Sequence, residues 1–533
     1  MLRGVLKARE GCPKGVVRAV LGTFLLLWCA STPPNRPSAV STDHSLQALK
    51  ARYGDAYRWL LLLSVMVGTM ASVMSSTIVN VAIPDLSQHF ALGQARAQWA
   101  TSSFMAAMTV SMLTTPWLLA RYGYRRTYSG CMWLLLAGGA GGGFAADYGL
   151  VLLARVVEGL AAGVTQPIPA IIILRAFEPH EQGRASGLFG MGVVLAPAIG
   201  PSIGGVLVDA FGWRSIFFMV VPFCLLSLWL ARRYVPTTAP GGVLAGGDGL
   251  GLDWRGLLLA TASTLCLLNG LVQSQAGTAW WAGGLLGGAV LLAAVFVAWQ
   301  RYLLRRASRE AASGAKPLVH LPLFASRRFA MGSLVAVIYG TALFGSTYLL
   351  PVYLQMGLGL SASSVGAILL PAGLVLAVSI ALVGRLADRQ PAYRLVSVGL
   401  LLLALSFALM PTVGPRSPAW VLPLLVAWTV MGRIGLGFIL PSLNLGAMRG
   451  LPPVDIPQGA SVINFLRMLG GAAGVSVCGI VLEWRLRVHG ARLGGGDGAA
   501  RLAAFDETFL LLAGLCLLAL VAARYMRDET PPT

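Results

Sequence analysis

An arginine and a glutamate three residues apart, Arg155 and Glu158, stand in the otherwise apolar stretch LVLLARVVEGLAAGV (150–164). On a helix that spacing puts them on roughly one face, where they can pair. A carboxyl is also a group that can take up and release a proton. The two residues are therefore either a proton-exchanging site or a standing ion pair, and both readings hold if protonation frees Arg155. Of the 20 acidic residues, Glu158 alone lies deep within an apolar run, whereas Asp85, Asp455, Asp506 and Glu507 fall near run ends and the others between runs or in tails. A charge near a bilayer centre costs ~3 kcal/mol on insertion scales, which makes such residues functional candidates. Arg433 and Arg467 are the other embedded charges.

The surroundings of these charges set the fold class. Of 533 residues, 56% are hydrophobic and 11% charged, with a mean hydropathy of +0.74, more apolar surface than a water-soluble core takes. Runs of about 20 apolar residues cross a bilayer as helices, which satisfy their own backbone hydrogen bonds there. The sequence holds fourteen such runs, mostly joined by short turns, which predicts an all-α membrane protein with antiparallel neighbours in one bundle.

The net charge of +20 reads as topology. With the N-terminus inside, most Lys and Arg fall in loops on that side and in the termini, so a multi-pass inner-membrane protein with both termini cytoplasmic is expected. The richest cluster, Arg301, Arg305, Arg306, Arg309, Lys316, Arg327 and Arg328, points to contacts with anionic lipid and not to nucleic acid. Arg485, Arg487, Arg492 and Arg501 break the pattern in one outer loop, read as long enough to escape the rule. The seven cysteines form no C-x-x-C pair, and no disulfide framework, metal site or cofactor is indicated. Without a Walker loop or an H-E-x-x-H pair, neither an enzyme nor an ATP-driven pump is expected.

Five regions follow. Residues 1–57 are read as a loose N-terminal cytoplasmic tail, although VLGTFLLLWCA (20–30) looks like a short signal core. Residues 58–231 hold six runs, 232–328 a linker with two more at about 256–275 and 280–299, 329–525 another six, and 526–533 a short tail. Weak echoes relate the two sets of six: LLARYGYRR (118–126) with GRLADRQPAYR (384–394), GVTQP (163–167) with GFILP (437–441), and GRAS (183–186) with QGAS (458–461). Transporters are often built from two such halves with the substrate path between them.

The stretch GVVLAPAIGPSIGGV (192–206) sets helix breakers in one of these runs. Pro197 and Pro201 remove two backbone donors, and Gly192, Gly200, Gly204 and Gly205 make a face without side chains, with Gly200 and Gly204 at the G-x-x-x-G spacing for close helix approach. APAIGPSIGG (196–205), MSSTIVNVAIP (74–84), LARVVEG (153–159), GWRSIFF (212–218) and LPVYLQ (350–355) resemble the fourteen-span drug:proton antiporter branch of the major facilitator superfamily, over about residues 58–525.

The resemblance implies a major facilitator fold of two six-helix halves plus two inserted helices. It implies export of amphipathic organic compounds or drugs against protons by alternating access, with the proline- and glycine-rich helix at the interface between halves. The loops after the second helix of each half become cytoplasmic gates: Arg121, Gly123, Arg125 and Arg126 in the first, where Pro116 and Ala120 replace the family's glycine and acid, and Gly384, Arg385, Asp388 and Arg389 in the second. The branch's first-helix acid is missing at Ser75, while Glu158 stands where its fourth-helix motif has glutamine.

For the substrate cavity, Asn80, Gln166, Gln355, Asn444, Asn464 and Arg467 are the polar candidates. Trp99, Phe104, Met191, Tyr348 and Tyr353 offer stacking and soft contact for flat or cationic molecules. The implied partners are small amphipathic substrates, protons, the lipid bilayer and, in double-membraned bacteria, a periplasmic adaptor and an outer-membrane channel. A dedicated exporter of one metabolite, or a proton-coupled importer on the same fold, is the alternative.

Overall fold

Helices carry nearly the whole described chain in the computed structural model, which describes residues 46–92, 94–237, 251–275, 279–309, 317–413, 418–491 and 498–527. Numbering those of eight residues or more, the first bundle holds α1 (Leu46–Tyr53), α2 (Ala56–Ile78), α3 (Trp99–Ser111), α4 (Thr115–Gly143), α5 (Tyr148–Thr165), α6 (Ile168–Ala176), α7 (Gln182–Phe211) and α8 (Val220–Tyr234). A hairpin of α9 (Trp254–Gln275) and α10 (Ala279–Arg309) follows. The second bundle holds α11 (Arg327–Val352), α12 (Ala362–Ala387), α13 (Ala392–Leu409), α14 (Pro418–Met448), α15 (Ile456–Val488) and α16 (Gly498–Arg524). Residues 1–45, and with them the signal-like stretch, lie outside the described residues, as do Lys316, Arg492 and most of the Gly-rich stretches GGVLAGGDGLGLDW (241–254) and LGGGDGAA (493–500).

Twelve segments among the described residues are long and apolar enough to cross a membrane. One of them, Trp99–Gly143, is 45 residues long, about twice what a bilayer needs. Its chain kinks at Gly123, where φ is +77°, a conformation that disfavours any side chain. Thr127 Oγ1 closes the turn by donating to Leu118 O at 3.0 Å. Before it, α3 gives way to the 3-10 turn Met112–Thr114, and Pro116 opens α4 at a position where its missing N–H costs nothing. Beside the twelve stands α7, a 30-residue apolar helix that runs through Pro197 and Pro201 without a break in its assignment.

Each bundle has its own core. Tyr57, Tyr128, Ile171 and Cys224 pack together in the first, and Phe329, Tyr353, Phe407 and Phe509 in the second. Leu49, only 4% exposed, joins the first core from α1. The N-terminal region expected as a loose tail to residue 57 therefore ends in a docked helix, because α1 carries an apolar residue that the bundle can bury.

The hairpin α9–α10 sits on the outside. Its first helix touches α15 of one bundle and α3 of the other, while the most apolar window of α10 is only 11% buried, against 72% for Tyr148–Ala176. Buried Asp253 ties it down: Oδ1 accepts from Gly256 N at 2.8 Å and Trp299 Nε1 at 2.9 Å, and Oδ2 from Gln300 Nε2 at 2.7 Å. Gln300 Oε1 in turn accepts from Val319 N at 3.3 Å, just before α11.

Candidate functional site

Asp147 starts α5 by accepting Leu150 N at 2.9 Å, a side-chain N-cap for the helix that carries both embedded charges. Glu158 lies ten residues from the start of α5, roughly 15 Å along it. Its residue is 0% exposed, and Arg155 is 1% exposed. Arg155 Nη1 donates to Glu158 Oε2 at 2.5 Å and to Ser75 Oγ at 2.8 Å; Nη2 donates to Ser75 O at 3.0 Å and Nε to Ala100 O at 3.1 Å. The guanidinium also lies 4.3 Å from the centre of the Phe104 ring. Glu158 Oε1 is buried with no hydrogen-bond partner.

The pair thus joins α2, α3 and α5, and its arginine bonds the position, Ser75, at which the resemblance places an acid. Space for the glutamate comes from α4, where a Cβ on Gly138 would fall 2.6 Å from Glu158 Cγ and 3.1 Å from Ala154 O. Gly138→Ala must shift the carboxyl or part α4 from α5. It is expected to lower the thermal unfolding temperature of the detergent-solubilised protein, whereas Gly141→Ala in the same helix, where a Cβ meets nothing within 4 Å, should not.

A second group of candidates meets in a cavity between the bundles, with a volume of about 560 Å³ including the part open to solvent. Gln166 faces it from the break between α5 and α6 at Pro167, Ser186 and Gly190 from α7, Asn444 from α14, and Asn464 and Arg467 from α15. Arg467 Nη2 donates to Asn464 Oδ1 at 2.8 Å, and Asn464 Nδ2 to Ala460 O at 2.8 Å. Eleven residues from the start of α15, Arg467 is about 16 Å along it, near half the thickness of a hydrocarbon core. Glu158 is not among the lining residues.

The other cavity candidates lie elsewhere. Asn80, Trp99 and Gln355 are exposed near the ends of their helices, Asn80 Oδ1 accepting from Thr101 Oγ1 at 2.8 Å. Tyr353 is buried against Phe505 and Phe509 inside the second bundle, and Tyr348 and Met191 are half-buried. Phe104 is fully buried beneath Arg155, in a cluster with Met108, Met112 and Ala162 that reaches Met468, Phe344 and Phe465 of the other bundle. Sequence periodicity locates such residues along a helix but does not say which neighbour each faces.

The two loops expected to gate differ. Asp388 crosses between bundles: Oδ1 accepts from Gly183 N at 2.6 Å and Oδ2 from Arg184 N at 2.9 Å, at the N-terminus of α7. Anionic oxygens suit such a terminus. In the first loop, Ala120 supplies no carboxylate, and Arg125 Nη2 donates to Arg232 O at 2.7 Å within its own bundle. Arg175 adds a crossing contact by donating to Pro453 O.

Beneath Asp388, α7 and α12 meet almost backbone to backbone. A Cβ on Gly187 would fall 2.7 Å from Gly384 Cα, and one on Gly190 2.8 Å from Ile380 Cγ2. Gly187 and Gly190 were not singled out by sequence, although the G-x-x-x-G spacing of Gly183 and Gly187 carries the signal. Gly200 and Gly204, which were, pack within their own bundle on Thr77 and Ile78 of α2, as Gly192 does on Met66, and Gly205 has open space. The letters GPSIG (200–204) also fit G-x-S-x-G, but they lie inside a helix, not on the strand-to-helix turn that exposes a nucleophile. Among the described residues no cluster of His, Cys, Asp and Glu could hold a metal, and the five cysteines there are free.

Two helical bundles with a cavity between them, which also meet at a short glycine seam, have the architecture of a multi-pass membrane carrier. The Major Facilitator Superfamily profile matches residues 65–279 and 256–475, and the chain belongs to that superfamily of transporters. It is 29% identical over 431 residues to a multidrug resistance protein B homolog of Mycobacterium tuberculosis, covering 80% of this chain and 77% of that one. It is 25% identical over 426 residues to the lincomycin resistance protein LmrB of Listeria monocytogenes, covering 78% and 85%. Its fold matches that of the proton:xylose symporter XylE with a TM-score of 0.61 at 12% identity, over 88% of this chain and 95% of that one.

Proposed function

We propose that the chain is a proton-coupled exporter of amphipathic organic compounds that works by alternating access. The observation that carries this reading is Glu158: a carboxyl sealed in a bundle, with one oxygen on Arg155 and the other unpartnered. An ionised Glu158 holds the guanidinium between itself and Ser75. Protonation removes its countercharge and leaves Arg155 on Ser75, Ala100 and the face of Phe104. Phe104 belongs to the cluster that touches the second bundle, so a change at Glu158 reaches the bundle interface without the carboxyl entering the cavity. The resistance proteins among the relatives support organic compounds as cargo.

The same reading takes Trp99–Gly143 as two spans, because the chain turns at Gly123, and adds α7 to the twelve segments. With fourteen spans, this reading takes both ends of the bundle to face one side, the cytoplasmic one from the distribution of arginine, in the inner membrane. The Asp388 contacts and the Gly187–Gly384 seam then close the cytoplasmic end. A periplasmic adaptor and an outer-membrane channel belong to this reading through the resemblance alone. Export of a panel of chemically unrelated amphipathic compounds from inverted membrane vesicles, with and without a proton gradient, tests the function. Gradient-dependent flux of several compounds is expected; flux of one compound only would identify a dedicated carrier, and flux indifferent to the gradient would refute the coupling.

A further inference from the structure

The cavity's charge speaks to its cargo, on the premise that this cavity is the transport site. Its lining carries one ionised side chain, Arg467, and no carboxylate. Arg467 has five N–H donors, and its hydrogen bond among the described residues is the single one to Asn464. Asn464 is itself anchored to Ala460 O, so it holds the guanidinium in place without neutralising it. The embedded carboxylate, Glu158, is committed to Arg155 and lies outside the lining.

A cationic ligand here would be desolvated beside like charge with no counter-ion, which costs free energy that contacts with Met and Phe do not recover. An anion finds a planar fork of N–H donors that can donate in pairs to carboxylate or sulfonate oxygens. Apolar surface lies beside it, from Phe189, Leu440 and Met448 in the lining. We propose that the cavity takes amphipathic organic anions, with the acid group on Arg467 and the apolar body on this Met and Phe surface. The sequence expectation of flat or cationic cargo is thereby narrowed to the opposite sign.

Two probes with one body and opposite heads test this: 4-(pyren-1-yl)butanoate and 4-(pyren-1-yl)butyl-trimethylammonium. Binding is measured by fluorescence on the full-length protein in nanodiscs of zwitterionic lipid, with empty discs subtracted. The carboxylate is expected to bind at least about tenfold more tightly than the ammonium, the scale of one hydrogen bond to a charged group. Arg467→Gln should erase that preference, and Arg467→Lys should keep its sign. Equal or tighter binding of the ammonium by the native protein would overturn the proposal, a comparison that needs no variant to fold. Undiminished carboxylate binding in a folded Arg467→Gln protein would overturn it as well. Carboxylate bound but not exported would uphold the anion site and refute export; ammonium exported with no carboxylate bound would do the reverse.

Discussion

Glu158→Gln is expected to reduce gradient-driven efflux to the level of leak, while substrate exchange between two sides at equal pH continues. Glutamine keeps the shape and can still accept from Arg155, so the bundle loses a proton-binding group and a charge rather than a packing element. Removing one member of a buried pair costs ~3–5 kcal/mol, which raises the concern that the variant fails for lack of stability. The geometry supplies the control. Arg155 Nη1 bonds Ser75 Oγ and Glu158 Oε2 at once, so Ser75→Asp with Glu158→Gln moves the carboxylate from α5 to α2 against the same guanidinium. The double variant is expected to recover stability and a substantial part of coupled efflux. Full coupling in the single variant would place the proton site elsewhere, and recovery of stability without efflux would make the pair structural.

Gly187→Val is expected to abolish net transport for a mechanical reason. A Cβ there already falls 2.7 Å from Gly384 Cα and 2.9 Å from Ile380 O, and backbone atoms cannot step aside as a flexible side chain can. The seam between α7 and α12 then stays open at the arginine-rich end, and a folded protein accumulates in that state. A cysteine at Ser186, which lines the cavity, reports it: labelling from the cytoplasmic side should rise at least about tenfold in the Gly187→Val background. Gly284→Val on the exposed face of α10, where a Cβ meets nothing within 4 Å, should leave both labelling and transport as they were. Unchanged labelling and transport in Gly187→Val would show that this contact is not a gate.

The residues that sequence located best were those under the strictest physical penalty. Arg155, Glu158 and Arg467 stand out because a bilayer makes embedded charge expensive, and Asp388 because its loop matches a gate motif that its first copy, with Ala120, does not. What sequence could not supply was the partner of each. Ser75 reads as a missing acid until its hydroxyl is found on Arg155. Gly183 and Gly187 read as ordinary small residues until they meet Gly384, some two hundred positions away. Trp99, Asn80 and Gln355 have the chemistry of a cavity but occupy helix ends, where aromatic and polar side chains also serve the membrane–water boundary.

Proton movement recorded together with substrate movement tests the central claim most directly. Native protein, Glu158→Gln and the Ser75→Asp, Glu158→Gln double variant would be reconstituted in liposomes with a pH dye inside, and driven by a substrate gradient alone, using the best-exported compound of the panel. The account predicts that the native protein moves protons opposite to substrate, that Glu158→Gln moves substrate without protons, and that the double variant moves both again. Proton movement undiminished in Glu158→Gln, or absent from the native protein while substrate flows, would contradict it.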